Sequence, residues 1–180
     1  MTNIYKFGPH TITAGQIFLK SKHSLGLVNL KPILPGRKLF IYSRGCLDVL
    51  VISRRSVPRF LDLSPEEVSD IFQSAQQIGR VVEQEYGGTS LTVACQDGPQ
   101  AGQTVPHCHV HIIPRRLGDY VDNDDIYEDI TRNTNELLTL SEDGVNEPIK
   151  KGVDNDERKA RSEDDMTAEA ARLAWLLGEQ

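Results

Sequence analysis

The chain is short of the features that mark several protein classes. Apolar runs such as "LFIY" and "VLVI" fall far below the roughly 20 residues a membrane helix needs. The first twenty residues, "MTNIYKFGPHTITAGQIFLK", contain no apolar stretch of the secretory kind. Only three cysteines are present (Cys46, Cys95, Cys108), none in a C-x-x-C pair, which argues against a disulfide framework and a structural zinc site. A soluble protein of a reducing compartment is expected, in the cytoplasm or also in the nucleus. Positive charge is in deficit, with 20 Lys and Arg against 26 Asp and Glu for a net charge of −6. That disfavours long nucleic acid as a partner, because backbone binding draws on a basic surface. A small anion needs only local compensation, which Arg115 and Arg116 could supply.

At 180 residues the chain can bury one core, so one domain with a tail is expected. The clearest helix is "SPEEVSDIFQSAQQIGRVVEQEYGG". Ser64 caps it, Pro65 takes the first helical position, Glu67 completes a capping box, and Gly87 or Gly88 ends it. Val68, Ile71, Phe72, Ala75, Ile78, Gly79 and Val82 recur at helical steps and predict the face packed on a sheet. Strands are predicted over 16–20, 25–30, 38–43, 49–54, 90–96 and 107–114. The pattern is α+β, with a mostly antiparallel sheet around one long helix. Residues 1–130 are expected to form the domain, 131–161 a polar linker, and 162–178 a short helix packing back on it. In that helix Ser162 caps, Glu163, Asp164 and Asp165 fill the first turn, and Met166, Ala170, Leu173, Ala174 and Leu177 share a face.

The densest signal is "GQTVPHCHVHIIPRR", residues 102–116, in which His107, His109 and His111 alternate. In a strand all three project to one side, with Cys108, Val110 and Ile112 on the other. With five histidines in the chain, such spacing arises by chance only a few times in about a thousand. A structural role and a metal site are two readings. Three histidines on one straight strand span roughly 13 Å, long for three ligands on one ion, and no HxxxH or HxxE partner stands elsewhere. The third reading is nucleophilic catalysis at phosphorus. Neutral imidazole brings no negative charge to an anionic centre and splits one difficult displacement into two. His109 would attack, while His107 and His111 orient it and contact phosphate oxygens. Upstream, "QDGPQAGQTV" supplies turn-forming residues whose N–H groups can approach an anion, with Gln103 and Thr104 as further donors.

These residues resemble the histidine triad superfamily, whose signature is His-φ-His-φ-His-φ-φ with φ apolar, here His107-Cys108-His109-Val110-His111-Ile112-Ile113. The "QDGPQAGQTV" loop, "IYKFGPH…LVNLKPILPG" and "RSEDDMTAEAARLA" make the chain similar to the fragile-histidine-triad branch, dinucleoside polyphosphate hydrolases, over most of its length. The resemblance implies cleavage of diadenosine triphosphate to AMP and ADP through an adenylyl-histidine at His109, assisted by His107 and His111. It implies a divalent cation, Mg²⁺ or Mn²⁺, bound with the substrate and no dedicated protein metal site. Substrate-binding residues carried over are His10, Asn29, Gln96, Gly102, Gln103, Thr104 and Val105, with Asn29 matching a ribose contact. Tyr127 matches a tyrosine phosphorylated in some relatives, although a plain loop residue is the expectation here. The implied architecture is an antiparallel sheet with a long helix, assembled as a homodimer. A nucleoside phosphoramidase of the same superfamily, which carries serine where this chain has Gln103-Thr104, and a nucleotide-binding signalling protein with little turnover are the alternatives. One departure stands out: residues 37–48 intervene before "VLVIS", and Arg37 occupies the position of a family histidine. The expectation is that "VLVIS" keeps its strand position.

Overall fold

The computed structural model describes residues 4–30, 48–128, 130 and 161–178. A hairpin of two short strands, β1 (Tyr5–Phe7) and β2 (His10–Ile12), opens the chain. Among the described residues the sheet proper has five strands: β3 (Ile17–Lys20), β4 (Ser24–Val28), β5 (Val49–Ser53), β6 (Ser90–Ala94) and β7 (His109–Arg115). Their spatial order is β3-β4-β5-β7-β6 with every neighbouring pair antiparallel. The long helix is α1 (Pro65–Glu85) and the C-terminal helix is α2 (Glu163–Gly178). The α+β class with an antiparallel sheet, a long helix and a C-terminal helix is therefore as the sequence predicts. The predicted strand over 38–43, residues 37–47 of the intervening stretch and the linker over 131–160 lie outside the described residues.

Helix α1 begins where the capping box predicts. Ser64 Oγ accepts from Glu67 N–H at 3.3 Å, and Glu67 Oε2 accepts from Ser64 N–H at 2.8 Å. Glu67 is also gripped by Arg55, whose hydrogen bonds hold its carboxyl down at about 2. The buried face carries Ile71, Ala75, Ile78, Val81 and Val82, which pack on Val51, Val110 and Ile112 of the sheet. Phe72, predicted on this face, instead turns outward at 42% exposure and meets Phe60 edge-on. Gly79 lies where a Cβ would come within 2.7 Å of Leu91 Cδ1, so the helix approaches β6 closely there.

Helix α2 closes the same layer. Ser162 Oγ accepts from Asp165 N–H at 3.1 Å, and Met166, Ala170 and Leu173 enter the core. Ala174, predicted on that face, is exposed. The helix is tied to α1 by Tyr86 donating to Glu169 and by Arg172 bridging to Glu85 at 2.5 Å.

The sheet's opposite face carries His109 and His111. Leu25, Leu27, Leu50 and Ile52 project there and are covered by Phe7 and Ile12 of the hairpin together with Val105. Odd-numbered residues of β7 project to this side, even-numbered ones to α1. Strand β7 tolerates Pro114 because its pairing with β5 runs only over His109 to Ile112, leaving Pro114 in register with β6 alone.

Candidate active site

Only His109 and His111 of the three alternating histidines lie in β7; the predicted strand over 107–114 starts two residues late. At Cys108 the chain turns aside, its N–H bonding Val57 O and its carbonyl accepting from Ser53 N–H. The rings of His109 and His111 stand side by side with centroids 5.3 Å apart. His107 is set off from them by Phe7, whose ring meets His107 at 5.6 Å and His109 at 5.1 Å, both edge-on.

The hydrogen bonds fix what each ring can do. His107 Nε2 donates to Ser53 O at 2.7 Å, and its Nδ1 accepts from Gly8 N–H at 3.2 Å, so both nitrogens are spent on a neutral imidazole. Burial pushes its pKa below the ordinary value. His109 Nδ1 lies 2.7 Å from the His107 carbonyl oxygen. A carbonyl can only accept, so Nδ1 carries the proton and Nε2 presents a bare lone pair. That Nε2 is buried with no hydrogen-bond partner among the described residues. Burial above all, then the neighbouring His111, drives the His109 pKa down to about 3, so the ring is neutral near pH 7.

His111 is held differently. Its Nδ1 lies 3.3 Å from Asp48 Oδ1, and Asp48 Oδ2 accepts from Asn29 Nδ2 at 2.7 Å. Asp48 is fully buried. It is the site residue that sequence reasoning missed, since it ends the intervening stretch over 37–48 and looked like part of a surface segment. Asn29 thus has its amide nitrogen engaged by Asp48 while lining a cleft of about 190 Å³ with Phe7, His10, Leu27 and Leu50. His10 lines the same cleft, its Nε2 buried and unpartnered among the described residues, its pKa lowered by burial.

The loop before the triad is braced by Gln103. Its Oε1 accepts from Gly98 N–H at 2.8 Å, and its Nε2 donates to Pro58 O and to His107 O. The side chain therefore shapes the loop and supports the same carbonyl that orients His109. Gly102 adopts φ +88°, a left-handed turn that favours glycine. Thr104 Oγ1 and Gln96 Oε1 are buried atoms without partners among the described residues, free for a ligand. Val105 packs into the core on the histidine side. Arg115, expected to compensate an anion, does not: it is buried and grips Asp119 through two nitrogens and Thr92 Oγ1 through a third. It lies four residues along β7 from His111, roughly 13 Å away. The described residues hold no cluster of three or more His, Cys, Asp or Glu able to bind a metal ion.

A buried, neutral imidazole with a bare Nε2, oriented by the preceding histidine's carbonyl on a five-stranded antiparallel sheet, defines a histidine-triad protein. Residues 12–118 match the HIT domain family, and the chain belongs to this family, in its fragile-histidine-triad branch. It is 43% identical over 153 residues to the Arabidopsis thaliana bifunctional bis(5'-adenosyl)-triphosphatase/adenylylsulfatase FHIT, covering 83% of this chain and 79% of that one. It is 40% identical to the Dictyostelium discoideum bis(5'-adenosyl)-triphosphatase, covering 99% of this chain and 96% of the relative. Among solved structures, Plasmodium falciparum diadenosine triphosphate hydrolase in complex with cyclomarin A superposes with a TM-score of 0.57 at 29% identity, covering 78% of this chain and 88% of that one.

Proposed function

We propose that the protein hydrolyses diadenosine triphosphate to AMP and ADP through a covalent adenylyl-His109 intermediate. The observation that carries the reading is the bare, buried Nε2 of His109, set by the 2.7 Å bond between Nδ1 and the His107 carbonyl. Relatives named bis(5'-adenosyl)-triphosphatase support the substrate.

His109 Nε2 attacks the α-phosphorus; a P–N bond forms as the P–O bond to ADP breaks. Positive charge then develops on the imidazole, and the His107 carbonyl receives the Nδ1–H that carries it. His111, supported at Nδ1 by Asp48, presents Nε2 to the phosphate and leaving oxygens. Water next attacks the same phosphorus: a P–O bond forms as the P–N bond breaks, one proton of the water passes to solvent, AMP leaves, and the Nε2 lone pair is restored. One adenosine would occupy the cleft of Phe7, His10, Leu27, Asn29 and Leu50, with Gln96, Gly102, Thr104 and the braced loop facing the phosphates. A divalent cation, Mg²⁺ or Mn²⁺, bound with the substrate would offset the charge of its phosphates. A homodimer, checked by sedimentation equilibrium, and a cytoplasmic or also nuclear location, checked by imaging a tagged chain, complete the proposal.

The test is incubation with diadenosine triphosphate and Mg²⁺, resolving products by chromatography and trapping the intermediate by acid-free quench and peptide mass. Parent protein yields AMP plus ADP and an adenylylated peptide containing His109. His109→Ala loses on the order of a thousandfold or more in turnover. Products with no adenylylated enzyme and an active His109→Ala would remove the covalent route; no products from folded parent would remove the activity.

A further inference from the structure

The cleft lined by His10 and Asn29 runs along one row of the sheet. Ile17 pairs with Leu27, Leu27 with Leu50 and Leu50 with His111, so the row crosses from β3 to β7 over roughly 14 Å. Leu27 and Leu50 line the cleft between its ends. His111 stands at one end of the row. Gln16, which also lines the cleft and directly precedes Ile17, stands at the other.

Gln16 closes a 3₁₀ turn over Ala14–Gln16, and both atoms of its amide are held. Oε1 accepts from Thr13 N–H at 2.9 Å; a peptide N–H can only donate, so the oxygen faces Thr13 and the nitrogen does not. Nε2 donates to Met166 Sδ at 3.5 Å, across 150 positions of sequence. Met166 is itself fixed in the core on α2. The turn is seated on that helix, since a Cβ on Gly15 would come within 2.5 Å of Thr167 Oγ1. Just before α2, Arg161 N–H donates at 3.1 Å to the carbonyl of Leu30, another cleft residue. A carboxamide nitrogen carries two hydrogens, and Met166 takes one. The second has no partner among the described residues.

We propose that Gln16 is a base-contacting residue whose Nε2 donates its second hydrogen to a ring nitrogen of the adenine, and that Met166 is the positioning residue that holds the amide for it. That an adenosine enters this cleft rests on the hydrolase reading above. Adenine is the part of AMP farthest from the phosphorus, and Gln16 lies at the end of the row farthest from His111. The ring nitrogens N1, N3 and N7 of adenine carry lone pairs, so each can accept from a fixed N–H. Because Thr13 and Met166 already restrict the side chain, little rotamer freedom is lost when the base arrives. Helix α2, which packs with α1 on the other face of the sheet, thereby takes part in nucleotide recognition without touching the ligand.

Titration calorimetry on the full chain measures binding of AMP, of ribose 5-phosphate, which has the sugar and phosphate without the base, and of AMP analogues in which carbon replaces N1, N3 or N7. Gln16→Leu should weaken AMP by about 3- to 10-fold and leave ribose 5-phosphate unchanged. One of the carbon-substituted analogues should bind the parent that much more weakly than AMP does, and lose nothing further in Gln16→Leu. Met166→Leu keeps the core volume but removes the sulfur acceptor. It should weaken AMP by about 2- to 5-fold and raise KM for diadenosine triphosphate with kcat unchanged. Equal losses for AMP and ribose 5-phosphate would make Gln16 merely structural and overturn the proposal. So would an unchanged AMP affinity in either variant, three analogues that all bind as AMP does, or a Met166→Leu chain that loses kcat at constant KM. Should Gln16→Leu not fold, Met166→Leu and the analogues on the parent decide. A parent that binds AMP without turning over diadenosine triphosphate removes the hydrolase reading alone, and the AMP series still decides Gln16. A folded parent that binds no AMP overturns the base contact.

Discussion

Acid should destabilise this protein through the buried imidazole of His109. His109 is held neutral with a pKa of about 3 against an ordinary 6.5, because burial and the neighbouring His111 penalise its charged form. Between those values the unfolded chain binds a proton that the folded one refuses. The sign follows: this stabilisation is fully present above the unfolded value and is lost as pH falls toward the folded one. From about pH 7.5 to about pH 5 an unfolded imidazole passes from roughly one-tenth to nearly fully protonated, which removes about 2 kcal/mol. For a chain of this size that is about 4–8 °C in Tm. The comparison protein is His109→Asn, whose side-chain amide can donate to the His107 carbonyl as Nδ1 does yet does not titrate. Urea denaturation of both proteins at the two pH values, followed by far-ultraviolet circular dichroism, isolates the term. His107 and His10, whose pKa values are also lowered by burial, are common to both and cancel. The parent should lose about 2 kcal/mol more than His109→Asn over this interval. Equal losses would refute the buried, neutral imidazole.

Other perturbations separate catalysis from scaffold. Asp48→Asn leaves one amide oxygen to serve both His111 Nδ1 and Asn29 Nδ2, so turnover should fall about 10- to 100-fold while the circular dichroism spectrum is unchanged. Steady-state kinetics checks it, and parental turnover would show that Asp48 does not position His111. Gly8→Ala puts a Cβ at φ +56° within 2.7 Å of Val105 Cγ1, beside the N–H that holds His107. Scanning calorimetry should find it destabilised by about 1–3 kcal/mol, with reduced turnover. Ser64→Ala breaks the capping box of α1 and should cost about 1 kcal/mol, with turnover unaffected because α1 contacts the face of the sheet away from the histidines.

The parts of this site that sequence reveals are those written in local spacing. Alternation over His109, Val110, His111 and Ile112 has a period that only a strand satisfies, so the division between core and cleft is readable in the sequence. The α1 capping box was readable for the same reason, its two hydrogen bonds spanning three residues. Phe72 was misjudged because helical spacing marks a stripe but not its edges, and the sheet's width left Phe72 to meet Phe60 outside. The β1–β2 hairpin escaped because three-residue strands are too short to show alternation. Arg115 was misjudged because proximity in sequence stood in for proximity in space; Asp119, one helical turn's spacing away, claims it.

The deeper omission concerns what holds His109 and His111 in place. Asp48 is separated from His111 by 63 positions, and nothing in "SRGCLDVLV" marks a carboxylate destined for burial. The group that sets the His109 tautomer is not a side chain at all but the peptide oxygen of His107. The His107 ring, with both nitrogens committed to Ser53 and Gly8, positions that peptide and so acts on His109 through the backbone. Gln103 reaches the same oxygen from the loop side, at 3.3 Å. The loop before the triad and the His109 ring are therefore joined through one carbonyl, so a change in the loop that moves Gln103 is felt at His109 Nδ1 without any altered residue touching the ring.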